Sequence, residues 1–203
     1  MLFAETAGFA VSCRYIGSMG ILRTSRQLIV TAVFATVGFS LPLCAEDATK
    51  ELLESLQSAT PEEATRIDRN IRAAWSRSGS PAMDLLLRRG REAMEAGETE
   101  VAINHFTALT DHAPEFAEGW YALARAYYEA ELFGPSLDAI GQALALNPEH
   151  YHALFGLGVM FQNFGDTQRA AQAYREVLGL HPHHEEANQA LESLKSAGVG
   201  REL

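Results

Sequence analysis

From residue 51 onward the apolar positions recur at intervals of three and four, the spacing that gathers side chains on one face of a helix. Leu52, Leu53 and Leu56 begin the series, and Ile67, Ile71 and Trp75 continue it as an i, i+4, i+8 stripe. Trp120, Leu123 and Tyr127 form another face, Ile140, Ala143 and Leu144 a partner to it. Ala187, Ala190, Leu191 and Leu194 form a last one over residues 185–195. Polar punctuation separates these stripes. Thr60-Pro61-Glu62-Glu63 reads as a capping box with proline at the first helical position. Ser78-Gly79-Ser80-Pro81 ends one helix and caps the next, and Gly97 and Gly165-Asp166 mark short turns. Glu131-Leu132-Phe133-Gly134-Pro135 stands where such a turn is due, so a somewhat different loop is expected there. Asn147-Pro148-Glu149 reads as an N-cap, a first helical residue and an acid near the positive helix end.

The stripes themselves repeat. Pro114, Pro148 and Pro182 lie 34 residues apart, and a fixed period of that size signals a stacked helical array. The middle copy carries Trp120, Leu123, Ala124, Tyr127, Ser136, Ile140, Ala143 and Pro148. At the same offsets the next has Leu154, Leu157, Gly158, Phe161, Ala170, Tyr174, Val177 and Pro182, and the previous has Leu86, Arg89, Gly90, Ala93, Ala102, Phe106, Leu109 and Pro114. Small residues at 90, 124 and 158 on the first helix, and at 102, 136 and 170 on the second, let two backbones approach and cross. An amphipathic bundle with an accidental period would need all these coincidences together.

This pattern resembles the tetratricopeptide repeat, Trp-x-x-Leu-Gly-x-x-Tyr, then Ala-x-x-x-Phe, then Pro. The first copy is degenerate, with Arg89 for the leucine and Ala93 for the large aromatic. The resemblance implies an all-α, right-handed helical-hairpin solenoid of about three units, at 83–116, 117–150 and 151–184. Residues 46–80 are expected to form a helical hairpin covering the exposed face of the first unit, with Trp75 in its core, and 185–203 a carboxy-terminal cap and tail.

The amino terminus has a different character. Arg23 and Arg26 precede the apolar run 28–43, and the chain turns acidic at Glu46-Asp47, so 1–45 reads as a secretory presequence ending near Ala45. The run has 16 residues, short of the roughly 20 that span a bilayer. Retention of 28–43 as an inner-membrane anchor is the alternative, and membrane contact is expected only then. Residues 1–18 lack a basic start, and Met19 opens a well-formed signal, which suggests translation from Met19. Both cysteines, Cys13 and Cys44, lie in this region, so a chain cleaved after Ala45 has no disulfide and no cysteine metal site. Bulky Leu43 before Cys44 argues against a lipid-modified cysteine.

The whole chain carries a net charge of −10 over 203 residues; without 1–45 it keeps 13 basic and 25 acidic residues, or −12. So acidic a domain is a poor match for nucleic acid. Enzymatic signatures are also lacking: there is no nucleophile elbow, phosphate-cradling glycine loop, His-Glu-x-x-His or cysteine–histidine pattern. Glu62-Glu63 and Glu185-Glu186 fall in first helical turns, where the dipole accounts for them. His150-Tyr151-His152 and His181-Pro182-His183-His184 sit in equivalent loops. They read as solvated loop residues, with a metal-carrying role as the alternative. No cofactor and no small-molecule substrate is expected.

The resemblance places ligand contacts on the concave face, along the first helix of each unit. The contact positions are Leu87, Arg91 and Met94 with Asp84, then Tyr121, Arg125 and Tyr128 with Glu118, then His152, Phe155, Val159 and Gln162. Aromatic residues, methionine and arginine are the types enriched at binding hot spots. The basic and asparagine clamp of chaperone-tail binders is replaced here by Tyr121, Ala122, His152 and Gly156, so an extended or helical peptide with apolar anchors is the expected ligand. The sequence thus points to a non-enzymatic, exported, periplasmic scaffold of the bacterial cell envelope holding a protein or peptide. A membrane-tethered subunit of an envelope assembly, secretion or cytochrome-maturation complex is the competing reading.

Overall fold

The computed structural model describes residues 43–196 and 198. The presequence expectation for 1–45, with Met19 and Cys13, therefore falls outside the described residues up to residue 42. Among the described residues every regular element is a helix: α1 (Leu43–Ser58), α2 (Pro61–Trp75), α3 (Pro81–Glu95), α4 (Thr99–His112), α5 (Ala117–Glu129), α6 (Phe133–Leu146), α7 (Tyr151–Asn163), α8 (Thr167–Leu180) and α9 (Glu185–Ser196). The protein is an all-α helical-hairpin solenoid, in which α3–α4, α5–α6 and α7–α8 form the most extensive helix pairs.

Each pair is locked by one size-matched contact, sixteen residues apart in sequence. A Cβ added to Gly90 would meet the Phe106 ring at 2.2 Å, and one on Gly158 would meet the Tyr174 ring at 2.5 Å. Both rings are fully buried. Between them the same position holds Ala124, opposite the smaller Ile140, and the Ala124 carbonyl accepts a hydrogen bond from Ser136 Oγ at 2.8 Å. Glycine thus stands opposite an aromatic ring and alanine opposite isoleucine, which keeps each pair at interior packing density.

The three turns within these pairs share one geometry. Gly97 and Gly165 adopt φ of 75° and 78°, and Glu131 adopts 60° in the same place. Leu132 N–H donates to the Tyr127 carbonyl as Glu98 N–H does to Ala93 and Asp166 N–H to Phe161. The middle turn is therefore not the different loop that its sequence suggests. The repeat's packing imposes the left-handed conformation on a glutamate, at a cost of about 1–2 kcal/mol.

Two local expectations need correction. Asn147-Pro148-Glu149 does not start a helix: α6 ends at Leu146, and Asn147 Oδ1 accepts from Glu149 N–H in the connecting turn. The cap of α7 is His150, whose Nδ1 accepts from Ala153 N–H at 3.2 Å. One period later His184 Nδ1 accepts from Ala187 N–H at 3.3 Å. Both histidines are buried, as is His181, rather than solvated. An imidazole nitrogen replaces the usual short polar cap because packed helices surround these helix starts.

The larger correction concerns the amino-terminal hairpin. Glu63 accepts from the Thr60 N–H at 3.0 Å and starts α2 as its sequence predicts. The buried face of the hairpin, however, does not cover the first repeat. Leu53, Leu56, Ile67 and Ile71 share one core with Tyr151, Tyr174 and Val177 of the third repeat and Leu191 and Leu194 of α9. Trp75 stacks on His150 with centroids 4.4 Å apart and planes 21° apart. Tyr151 OH donates to Asp68 at 2.7 Å, and His183 Nε2 donates to the Ala59 carbonyl at 3.0 Å. Helix α2 thus runs across the starts of α9 and α7 before the chain enters α3, tying the two ends of the array together.

Candidate partner-binding groove

Helices α3, α5 and α7 each contribute residues to the candidate groove, and α2 lies over part of it. Two cavities open between α2 and these helices. One, of about 330 Å³, is lined by Arg72 and Ser76 of the hairpin region together with Arg91, Met94, Glu118, Tyr121, Arg125 and His152. The other, of about 490 Å³, lies among Asp68, Arg72, Tyr121, Arg125, Phe155 and the histidines 152, 181, 183 and 184. A third cavity of about 240 Å³ has no α2 residue in its lining. It lies between α5 and α7, and it is lined by Tyr121, Ala124, Tyr128, Ile140, Phe155, Val159 and Met160 together with the exposed Arg125 and Glu129.

Of the residues that the sequence places on this face, Tyr121, Arg125 and His152 line all three cavities. Met94 and Arg91 line the first, and Tyr128, Phe155 and Val159 line the apolar one. Leu87 is a correction: it is buried in the core of the first two repeats with Phe106, Ala122 and Leu123, so it cannot touch a partner. Gln162 is exposed and accepts from Tyr174 OH at 2.8 Å, outside all three linings. Asp84 is fastened locally, accepting from Ser78 N–H at 2.8 Å. Ile140 and Met160, which floor the apolar cavity, lie outside the sequence-based set, as do Asp68, Arg72 and Trp75 of the hairpin. Their helical stripes were readable, but not what they would face.

The buried polar groups beside the groove hold elements of the fold together. Glu118 is buried, pairs with Arg91, and receives His150 Nε2 at 3.0 Å beneath the Trp75 ring. Burial pushes its carboxyl up, but the His150 hydrogen bond and the charge of Arg91 outweigh this and hold it below the usual range. Asp68 likewise loses solvation, yet His152, Tyr151 and Arg72 bring it down to about 2. Burial moves His184 the other way, to about 4, and also lowers His181. Among the described residues no group of three or more His, Cys, Asp or Glu side chains is arranged to hold a metal ion.

These shifts set an expected pH profile. His181 and His184 bind protons less readily folded than unfolded, so their contribution is complete above about pH 6.5 and is lost as pH falls towards 4. Asp68 adds a second loss, beginning below its ordinary range near 4 and running to about 2. Urea unfolding should show stability falling by about 1–2 kcal/mol between pH 7 and 5. In His184→Asn, which keeps a capping side chain without a titrating one, that fall should be smaller.

The model of the tetratricopeptide repeat matches residues 87–134 and 135–185. A TPR repeat-containing protein of Rhizobium etli is 26% identical over 161 residues, spanning 77% of this chain and 79% of that protein. The first TPR of Spaghetti (RPAP3) bound to an HSP90 peptide superposes with a TM-score of 0.55 at 24% identity, over 57% of this chain and 91% of that one. The Yersinia enterocolitica type III secretion chaperone SycD, in complex with a peptide of the translocator YopD, gives 0.54 at 13% identity, over 59% and 96%.

Proposed function

From the premise that residues 87–185 are tetratricopeptide repeats, we propose that the chain is a non-enzymatic scaffold that holds a peptide or protein partner in the open part of its concave groove. The apolar cavity between α5 and α7 carries this reading: aromatic residues line it and no residue of the hairpin does. The peptides held by the RPAP3 and SycD structures support a peptide as the kind of ligand. The expected contacts are Tyr121, Arg125, Tyr128, His152, Phe155 and Val159, with Arg91 and Met94 in the neighbouring cavity; Leu87 is withdrawn.

The presequence features support export, and with it a role in the cell envelope. Among the described residues no helix is long and apolar enough to cross a membrane. Export is tested by fractionating the tagged protein: release with the periplasmic fraction fits a cleaved signal, and retention in alkali-washed membranes fits an anchor at 28–43. Binding is tested by photo-crosslinking in cells from a benzoylphenylalanine at Tyr128 or, on the outer face, at Arg175. A discrete adduct from Tyr128 that is absent from Arg175 is expected. The reverse pattern contradicts the groove as the binding face.

A further inference from the structure

We infer that the partner crosses the rim formed by the α5–α6 and α7–α8 turns and that it is a basic–apolar segment. It would seat one apolar side chain in the α5–α7 cavity, lay the next against Phe133 and Phe164, and set a lysine or arginine opposite Glu129 and Glu131. This rests on the groove reading above.

The opposite rim is closed. Trp75, Asp68 and Ala59 hold the hairpin against His150, Tyr151 and His183, at the starts of α7 and α9. A segment that reaches the apolar cavity therefore leaves over the far ends of α5 and α7. A chain of aromatic rings continues in that direction. Tyr128 lines the cavity, its ring is 5.7 Å from that of Phe133, and Phe133 is 6.2 Å from Phe164, edge to face. Phe164 is 56% exposed and Leu132 46%, which is unusual for large apolar side chains grouped at one place.

The repeat supplies its own control. One period either side of Leu132 stand Glu98 and Asp166, and Phe133 replaces Thr99 and Thr167. One and two periods before Phe164 stand Ala130 and Ala96. The first repeat builds the same turn with charged and small residues, so the fold does not require the apolar ones. The middle turn also keeps a glutamate at φ 60° where its sisters use glycine, which directs a carboxylate outward at the edge of the patch.

Charge selects the partner. Glu129 and Glu131 are exposed, and no cation pairs with either among the described residues. In a chain of net charge −10, a rim of unpaired carboxylates beside aromatic rings favours a basic–apolar segment by both steering and contact. Arg125 stands one turn earlier on α5 and lines the cavity as well, so the partner's basic residue belongs outward of Glu129.

Random peptides displayed on phage, selected on the immobilised full chain and then synthesised for fluorescence anisotropy, test this. Enriched peptides should carry an aromatic or aliphatic residue close to lysine or arginine. Leu132→Ser with Phe164→Ser should weaken them about tenfold or more, with the thermal midpoint held because both side chains are exposed. Glu129→Lys with Glu131→Lys should weaken them and flatten the salt dependence. An acidic consensus, or wild-type affinity in the Leu132/Phe164 variant, overturns the rim inference. If Val159→Ser weakens binding while the rim variants do not, the groove reading stands and the rim inference falls. Binding indifferent to all three variants, or no enriched peptide, overturns both. A sedimentation shift to monomer in the Leu132/Phe164 variant alone assigns the rim to a second copy of the chain and also overturns the inference.

Discussion

Replacing Glu118 by alanine is expected to lower the stability of the folded chain by about 3 kcal/mol, within the range for removing one partner of a buried ion pair. Glu118 is the acceptor on which two groups from different elements converge, Arg91 from α3 and the fully buried His150 before α7. Without it the His150 Nε2 loses its partner while its ring stays held between Trp75 and Tyr121. Part of the loss is softened because the Arg91 side chain is 40% exposed and can turn outward. Glu118→Gln keeps an acceptor and loses only the charge, so it should cost roughly half as much. Urea titration followed by circular dichroism gives the size of the effect. Trp75 fluorescence, read in a Trp120→Phe background, reports its place: the emission should redden in Glu118→Ala under native conditions. Unchanged stability and emission would mean that the Glu118 triad is not what seats the hairpin.

Gly158→Ala is expected to cost about 2 kcal/mol, although alanine favours a helix by about 1 kcal/mol over glycine. The new methyl would lie 2.5 Å from Tyr174 Cε1. The ring cannot yield easily, since it is buried and its hydroxyl is bound to Gln162. The middle repeat shows what the compensating change is: alanine at this position is paired with isoleucine. Adding Tyr174→Ile should therefore make Gly158→Ala far less costly than it is in the wild-type background, giving a favourable coupling of about 1–2 kcal/mol in a double-mutant cycle. Additive effects would show that the two positions do not share the contact.

The size-matched pairs show what the sequence could convey and why. Positions 90, 124 and 158 and their partners 106, 140 and 174 are local in the repeat, so a fixed period exposes them one beside another. The helix stripes and the glycine turns were readable for the same reason. The resting place of Ile67, Ile71 and Trp75 was not. Their spacing says that one face of α2 is buried, but the covering residues, Tyr151, Tyr174 and Leu191, lie far along the chain, and no period links them to α2.

The candidate groove divides along the same line. Tyr121, Arg125, Tyr128, Phe155 and Val159, which the resemblance placed on this face, line the apolar cavity. Leu87 was misplaced because register gives only the direction of a side chain. In the first repeat that direction meets Ala122 and Leu123 of α5, and an apolar side chain packs against them. A signal for the buried histidines did exist. His150 and His184 are one period apart, each immediately before a helix, which is the position of an N-cap. Their residue type, ordinarily polar and exposed, obscured it.

Docking of the amino-terminal hairpin on the last repeat decides which part of the concave face a partner can reach, and it separates this array from one whose units touch only their neighbours. Hydrogen exchange of Leu191→Asp tests that docking directly. Leu191 lies on α9, buried in the core shared with Ile67 and Ile71, more than a hundred residues away in sequence. Peptides covering 61–75 and 185–196 should lose protection together, while those covering 83–146 keep theirs. Full protection of 61–75 in that variant, or loss confined to 185–196, would contradict the docking and return the whole concave face to solvent.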